Sequence, residues 1–223
     1  MEDVTLALIL VYNNAKNRME RYYREEWQPM PYNVGRTLTV GEFRGSSKSN
    51  ILWTDRRAMN SWNAFRRFWG APIFVGYAFR RISEGGHSAQ SQHYAGTAFD
   101  LGHTLTSTQR ARLRTAARNS GVWSYVEPAS LTPRWVHVDD RFGTPACSAG
   151  GFPALKVGSK GVYVLVLQDA LNSLGYKIGL DGNYGINTSY AVRNFQRAQG
   201  LTNTGTVNCA TWVRLTNLAN GKG

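Results

Sequence analysis

Two short segments hold the residue types that a catalytic metal ion needs. Residues 91–100 read S-x-H-x-x-G-x-A-x-D, and residues 135–139, further along the chain, read W-x-H-x-D. Two neutral imidazoles and one ionised carboxylate are a sufficient protein shell for a zinc ion whose fourth position is left to water. The pattern therefore predicts a Zn²⁺ site, with His93, Asp100 and His137 as its ligands.

The elements around these segments must bring three side chains to one point. The separation of His93 and Asp100 is not the spacing of a helix face, and it suits a loop that turns at Gly96 into a strand. Residues 97–101 and the segment around His137 both have the pattern of short strands. Because side chains alternate along a strand, two neighbouring strands can present ligands on one shared face.

The rest of the first half mixes helical and strand patterns. Apolar residues recur at helical spacing over residues 58–69, and a basic helix is predicted at residues 108–118. Residues 73–77 read as a strand. The apolar run at residues 4–11 is expected to start a buried helix that continues toward Arg21. This is the pattern of an α+β domain.

A stretch rich in glycine, proline and serine divides the chain. We predict a first domain at residues 1–142, a linker at 143–155 and a second domain at 156–223. The second domain is expected to contain three short helices, one of them with Thr188 as its N-cap. The predicted fold is an α+β domain with a small antiparallel sheet flanked by helices, followed by a three-helix bundle.

Composition limits the environment in which the chain acts. The 223 residues carry a formal net charge of +12 at pH 7. This charge favours a polyanionic partner such as nucleic acid, an anionic membrane or an acidic cell wall. The two cysteines, Cys147 and Cys209, either pair across the two halves or remain free thiols. The apolar run at residues 4–11 is too short to span a bilayer and lacks the basic start of a signal peptide.

The two metal-binding segments resemble those of the zinc D-alanyl-D-alanine carboxypeptidase family, which also includes L-Ala-D-Glu endopeptidases. The resemblance covers residues 36–142 and includes two lead-in segments, residues 38–43 and 73–80. It implies a zinc peptidase that hydrolyses an amide bond in the stem peptides of peptidoglycan. It also implies the three zinc ligands named above.

Such a reaction requires a carboxylate that takes a proton from the metal-bound water and passes it to the leaving amine. The best-known relatives place this residue two or three positions before the last histidine, where this chain has Trp135 and Arg134. Asp139 is the first candidate because the strand period puts it beside His137, and Glu127 is the second. A salt bridge to a nearby arginine is the alternative role for either carboxylate.

Further residues are expected around the substrate. Arg80 lies closest to the family's arginine position, where it would stabilise an oxyanion or hold a terminal carboxylate, and Arg81 is the alternative. Ser91 is expected to form a hydrogen bond to a ligand. His87 and His103 are expected to face solvent or support the site without binding the metal.

Residues 156–218 resemble the three-helix peptidoglycan-binding domain that is often joined to wall hydrolases. The resemblance depends on apolar helix positions and on turn segments such as residues 181–185. It implies peptidoglycan as a partner, with Tyr184 on an exposed turn as a candidate contact. A turn that only joins two helices is the alternative.

The sequence thus predicts a monomeric zinc-dependent hydrolase of the bacterial cell wall, either a D-Ala-D-Ala carboxypeptidase or an endopeptidase. Secretion, association with spores, and release as a phage or prophage endolysin are the alternative routes to the wall. The rival from another class is a non-catalytic wall-binding protein that keeps the fold without a working base. Nucleic-acid binding would depend on charge alone and is not expected.

Overall fold

A computed structural model of the chain describes residues 6–147 and 151–221. Its strands are β1 (Ala7–Asn13), β2 (Arg18–Arg24), β3 (Ile51–Asp55), β4 (Val75–Tyr77), β5 (Ala98–Leu101), β6 (Tyr125–Val126) and β7 (Val136–Asp139). Its helices are α1 (Val40–Arg44), α2 (Arg56–Trp69), α3 (Ser107–Asn119), α4 (Val162–Ser173), α5 (Ile186–Ala198) and α6 (Cys209–Ala219). The predicted α+β class with a C-terminal helical bundle is confirmed.

The first sheet has the strand order β2-β1-β3, with β1 antiparallel to β2 and parallel to β3. The prediction that residues 4–11 start a helix is therefore wrong, although Val4 and Thr5 lie outside the described residues. A short apolar run fits a buried strand as well as a buried helix, because it has no period that separates the two. As the central strand, β1 uses its continuous apolar run to fill the core.

The second sheet is antiparallel, with the strand order β4-β5-β7-β6. Its register pairs Asp100 with His137 and Phe99 with Val138. Directly paired residues point to the same face of a sheet, so the two predicted ligands are cross-strand neighbours. Phe99 and Val138 point the other way and are fully buried.

Helix α2 supports the back of this sheet. It begins after Asp55, whose carboxylate accepts a hydrogen bond from the Ala58 amide at 2.8 Å, and it ends at Gly70 in the left-handed conformation. Trp62, on its buried face, stacks on Phe99 with ring centroids 5.2 Å apart. The helix predicted for residues 58–69 is confirmed, and it fixes the strand that carries Asp100.

Helix α4 is buried along residues 162–171. It contacts α5 and α6 on one side and, on the other, β3 and the 3₁₀ turn Ile82–Glu84. A helix that is apolar all round belongs inside a larger core, so the bundle packs directly against the first half. The helix α5 starts after Gly185 and not after the predicted Thr188, whose hydroxyl is buried and hydrogen-bonded to the Gln168 side chain at 3.2 Å.

The described ends of the predicted linker are held by both halves of the chain. Cys147 and Cys209 form a disulfide with Cα atoms 4.8 Å apart, which resolves the alternative that the sequence left open. Phe152 is fully buried, with its ring 5.1 Å from that of Trp212 and 5.4 Å from that of Tyr163. Residues 148–150 lie outside the described residues, and the domain boundaries remain a prediction.

Candidate metal centre

Asp100 lies between two imidazoles. Its Oδ1 atom is 2.7 Å from His137 Nδ1 and 3.3 Å from His93 Nε2. The side chains of Asp100 and His93 are almost fully buried, and that of His137 is 12% exposed. The structure therefore brings together the three residues that the sequence predicted as ligands, one from a turn and two from paired strands.

His93 has one ring nitrogen bound to the backbone and the other aimed at this cluster. Its Nδ1 lies 3.3 Å from the carbonyl oxygen of Ala78, which can only accept, so Nδ1 carries the proton. Nε2 is buried and has no hydrogen-bond partner among the described residues, although Asp100 is within ion-pair distance. A buried ring nitrogen without a hydrogen-bond partner is unfavourable in a packed core but fits a metal ligand.

The turn that carries His93 is pressed against β3. Gly96 has a φ of 68°, and a Cβ atom there would lie 1.9 Å from the Trp53 carbonyl oxygen. The Trp53 indole donates to the Tyr94 carbonyl at 2.8 Å, and the Thr54 hydroxyl donates to the Gly96 carbonyl at 2.7 Å. Only glycine fits this close approach, which explains why the motif has glycine at this position.

His137 is held between two carboxylates. Its Nε2 lies 3.1 Å from Asp139 Oδ2, while Nδ1 faces Asp100. Burial alone would lower the pKa of His137, but the hydrogen bonds to Asp100 and Asp139 raise it to about 9. Burial would likewise raise the pKa of Asp100, but the two neighbouring imidazoles hold it well below its usual range. The site thus keeps Asp100 ionised.

Asp139, the first candidate for the base, is fully buried and bound on both oxygens. Arg141 Nε donates to its Oδ1 at 2.7 Å, and a second Arg141 nitrogen donates to Oδ2. Burial would raise the pKa of Asp139, but the hydrogen bonds from Arg141 and His137 lower it. In this position Asp139 orients the His137 ring.

Glu127, the second candidate, lines a cavity of about 490 Å³ onto which the cluster opens. Its backbone amide donates to the His137 carbonyl at 3.0 Å. Behind it, the buried Arg114 of α3 donates to the carbonyls of Glu127 at 3.0 Å and Thr132 at 2.7 Å. These bonds fix the backbone of Glu127 at the wall of the cavity.

Ser91 and Arg80 also lie near the cluster. Ser91 lines the larger cavity, and its hydroxyl accepts a hydrogen bond from the His93 amide at 3.3 Å. Arg80 lines a second cavity of about 300 Å³, which shares His87 and Asp100 with the first. Its guanidinium donates to the Ser46 hydroxyl at 2.9 Å.

Sequence reasoning missed how close His87 lies to the predicted ligands. Its ring stacks on that of His93 with centroids 4.3 Å apart, and ligand-type atoms of His87, His93 and Asp100 lie within 4.8 Å of one another. Burial, and then the neighbouring His93, lower the pKa of His87 to about 3, so the ring is neutral. The Gly85-Gly86 pair, both with positive φ, was the local signal that the chain turns back here. His103 instead stacks on Trp135, with centroids 5.6 Å apart.

Two residues predicted to bind substrate lie elsewhere. Arg81 forms an ion pair with Asp169 of α4, where its Nε donates to Oδ1 at 2.7 Å. Tyr184 is 1% exposed, and its hydroxyl donates to the Gly205 carbonyl at 2.8 Å. The expectation that Tyr184 lies on an exposed turn is wrong, because the turn folds the aromatic ring into the core of the bundle.

Helices that combine the length and apolar character of a membrane span do not occur within residues 6–147 and 151–221. No curated protein matches the chain.

Several solved structures match part of the chain. A peptidoglycan-binding protein from Clostridioides difficile, in complex with glutamine hydroxamate, is 35% identical over 30% of this chain and 43% of that one, with a TM-score of 0.30. A fused Zn-dependent amidase/peptidase/peptidoglycan-binding domain-containing protein from Clostridium acetobutylicum is 40% identical over 28% of each chain, with a TM-score of 0.28. The SleB N-terminal domain is 33% identical over 30% of this chain and 92% of that one, with a TM-score of 0.29. This chain spans less than half the length of the first two proteins.

Comparison with family models divides the chain into two parts. Residues 37–139 match Peptidase M15, and this range contains the entire metal-binding cluster. Residues 160–215, which hold most of the helical bundle, match a peptidoglycan binding domain. Both resemblances expected from the sequence are confirmed. The chain therefore carries a peptidase M15 domain followed by a peptidoglycan-binding domain.

Proposed function

We propose that the chain is a zinc-dependent peptidase that hydrolyses an amide bond in the stem peptides of peptidoglycan. The observation that carries this proposal is the buried Nε2 atom of His93, which has no hydrogen-bond partner among the described residues and faces the Asp100 carboxylate beside His137. The peptidase M15 match supports the chemistry, and the peptidoglycan-binding domain supports the substrate.

We assign His93, Asp100 and His137 as the zinc ligands, with His87 as a neighbour of the ion. The lone pair of an imidazole lies in the plane of its ring. The rings of His87 and His93 are stacked at 26°, so their lone pairs do not converge on an ion between them. The rings of His93 and His137 meet at 70° with centroids 5.1 Å apart, which allows both to point at one ion.

A zinc ion held by His93, Asp100 and His137 would polarise the scissile carbonyl and lower the pKa of a water molecule. We assign the general base to Glu127, because it lines the same cavity as His137. The Glu127 carboxylate accepts the water proton and then donates it to the leaving amine. Asp139 is less suited to this role, because Arg141 and His137 already occupy its two oxygens.

Arg80 and Ser91 complete the proposed site. Arg80 lies at the edge of the smaller cavity, where a guanidinium can hold a carboxylate of the stem peptide. The Ser91 hydroxyl holds the backbone of His93. The candidate bonds are D-Ala-D-Ala, cut by a carboxypeptidase, and L-Ala-D-Glu, cut by an endopeptidase.

The peptidoglycan-binding domain implies that the protein acts at the cell wall. The net charge of +12 fits an envelope that carries phosphate and carboxylate groups. Secretion, association with spores and release as a phage or prophage endolysin are the proposed routes, and action as a monomer is proposed with them.

Mass spectrometry of defined muropeptides tests the function. The full chain is incubated with them alone, with a chelator, and with zinc restored, and Asp100→Asn serves as the inactive control. We expect zinc-dependent cleavage, with loss of one alanine for a carboxypeptidase or division of the stem for an endopeptidase. Cleavage that persists in the chelator contradicts a zinc mechanism. Sedimentation with cell walls but without cleavage supports the rival, a non-catalytic wall-binding protein.

A further inference from the structure

We propose that the C-terminal bundle is a structural part of the catalytic site, in which Tyr163 and Asn220 are positioning residues for His93. This inference rests on the proposed zinc site. In this arrangement the bundle holds the turn that carries a metal ligand, in addition to binding the wall.

Tyr163, in the first turn of α4, is bonded to the residue that precedes the ligand. Its hydroxyl donates to the Gln92 side-chain oxygen at 2.9 Å, and both residues are 2% exposed. The backbone carbonyl of Gln92 in turn accepts hydrogen bonds from the amides of Ala95 at 3.1 Å and Thr97 at 3.2 Å. A hydroxyl from the bundle thus fixes the residue around which the His93 turn closes.

Asn220, which ends α6, is bonded to the other side of the same turn. Its side-chain nitrogen donates to the His87 carbonyl at 3.2 Å, and its side-chain oxygen accepts from the Tyr94 hydroxyl at 3.2 Å. Tyr94 follows His93 in sequence, and the ring of His87 stacks on that of His93. Residues on both sides of His93 are therefore held by the bundle.

The bundle is fixed in place by bonds of other kinds. The Cys147–Cys209 disulfide joins the predicted linker to α6, and the Arg81–Asp169 ion pair joins the start of the 3₁₀ turn to α4. A metal ligand must be held to within about 0.5 Å of its productive position. Because His93 lies in a turn and not in a strand, the bonds to Tyr163 and Asn220 supply support that the sheet gives to Asp100 and His137.

A matched set of variants of the full chain tests this role. Tyr163→Phe and Asn220→Ala remove the bonds to the turn, while Tyr184→Phe removes a different buried tyrosine hydroxyl of the bundle, bonded to Gly205. Zinc affinity is measured by competition with a chromophoric chelator, wall binding by sedimentation with peptidoglycan, and stability by thermal unfolding. The wild type provides the reference for all three.

We expect Tyr163→Phe and Asn220→Ala to weaken zinc binding by roughly ten-fold, the low end for supporting partners of metal ligands. Tyr184→Phe should leave zinc affinity unchanged, and each variant should still sediment with the wall. Equal zinc affinities for Tyr163→Phe, Tyr184→Phe and wild type would overturn the inference but not the proposed function. If the wild type itself binds no zinc, both are overturned. Should Asn220→Ala fail to fold, the two tyrosine variants decide the question.

Discussion

The buried glutamines of the bundle and His93 of the metal-binding cluster differ in how their polar atoms are bonded. In the bundle, Gln168 donates to Asp181 Oδ1 at 2.7 Å and accepts from the Gly182 amide at 3.0 Å. Gln196 of the next helix likewise donates to the Thr206 carbonyl at 2.9 Å and accepts from the Gly205 amide at 2.9 Å. Each glutamine is satisfied at both ends and fastens a turn.

In the cluster, by contrast, His93 Nε2 is buried without a hydrogen-bond partner among the described residues. Buried polar groups that are fully bonded stabilise one structure, whereas a buried ring nitrogen without a partner needs a further explanation. This difference indicates that the buried glutamines of the bundle serve folding, whereas the buried nitrogen of His93 serves a ligand. Variants in the two regions should therefore fail in different ways.

The largest effect is expected from His93→Ala. Loss of a ligand should remove zinc binding and bring amide hydrolysis down to background, a loss of roughly 10⁶-fold or more for a typical enzyme. Sedimentation with peptidoglycan should remain, because the bundle is intact. Zinc content by mass spectrometry and muropeptide cleavage measure the first two effects. If the variant keeps its zinc, His93 Nε2 is not a metal ligand, and the contrast with the bundle loses its basis.

Glu127→Gln should lower kcat by roughly 10²- to 10⁴-fold, which is the usual contribution of a general base. Zinc affinity should stay close to that of the wild type, because Glu127 is not a proposed ligand. Steady-state kinetics on a muropeptide, combined with a zinc titration, separates the two quantities. If kcat is unaffected, the base lies elsewhere, and Asp139 becomes the first candidate again.

Asp139→Asn should act mainly through the metal. Asp139 orients the ring of His137, so its loss is expected to weaken zinc binding by roughly 10- to 100-fold. Activity should recover in part when zinc is added in excess. A kcat loss that excess zinc does not relieve would indicate that Asp139 takes part in proton transfer.

Gln196→Leu should give the smallest functional change and affect stability alone. It leaves the buried Gly205 amide without its partner, which is expected to lower the free energy of unfolding by about 1–3 kcal/mol. Urea unfolding measures this loss. Zinc affinity of the folded protein is expected to remain that of the wild type, and a large drop in affinity would mean that the two kinds of site are not separable.

The sequence predicted those features that depend on local period and spacing. Two short strands with alternating side chains placed Asp100 and His137 on one face, and the structure pairs them directly. The helix of residues 58–69 followed from its apolar spacing and the glycine at its end. These patterns can be recognised in the sequence because the residues that produce each of them are close together in the chain.

Other features depend on contacts between distant segments. The apolar run of β1 is compatible with a helix or a strand until its neighbours β2 and β3 are known. No sequence pattern indicates the bonds of Tyr163 and Asn220 to the His93 turn. These bonds join residues that are 71 and 133 positions apart in the chain. Tyr184 was placed wrongly since a turn pattern does not tell on which side its aromatic ring packs.

Anomalous X-ray diffraction at the zinc edge, on crystals of the full chain grown with zinc, tests the central claim most directly. We predict one strong peak at roughly 2.0–2.2 Å from a nitrogen of His93, an oxygen of Asp100 and a nitrogen of His137. The fourth position should face the cavity that Glu127 lines. A map without a peak at these three side chains, with the protein folded and zinc in excess, would contradict the account.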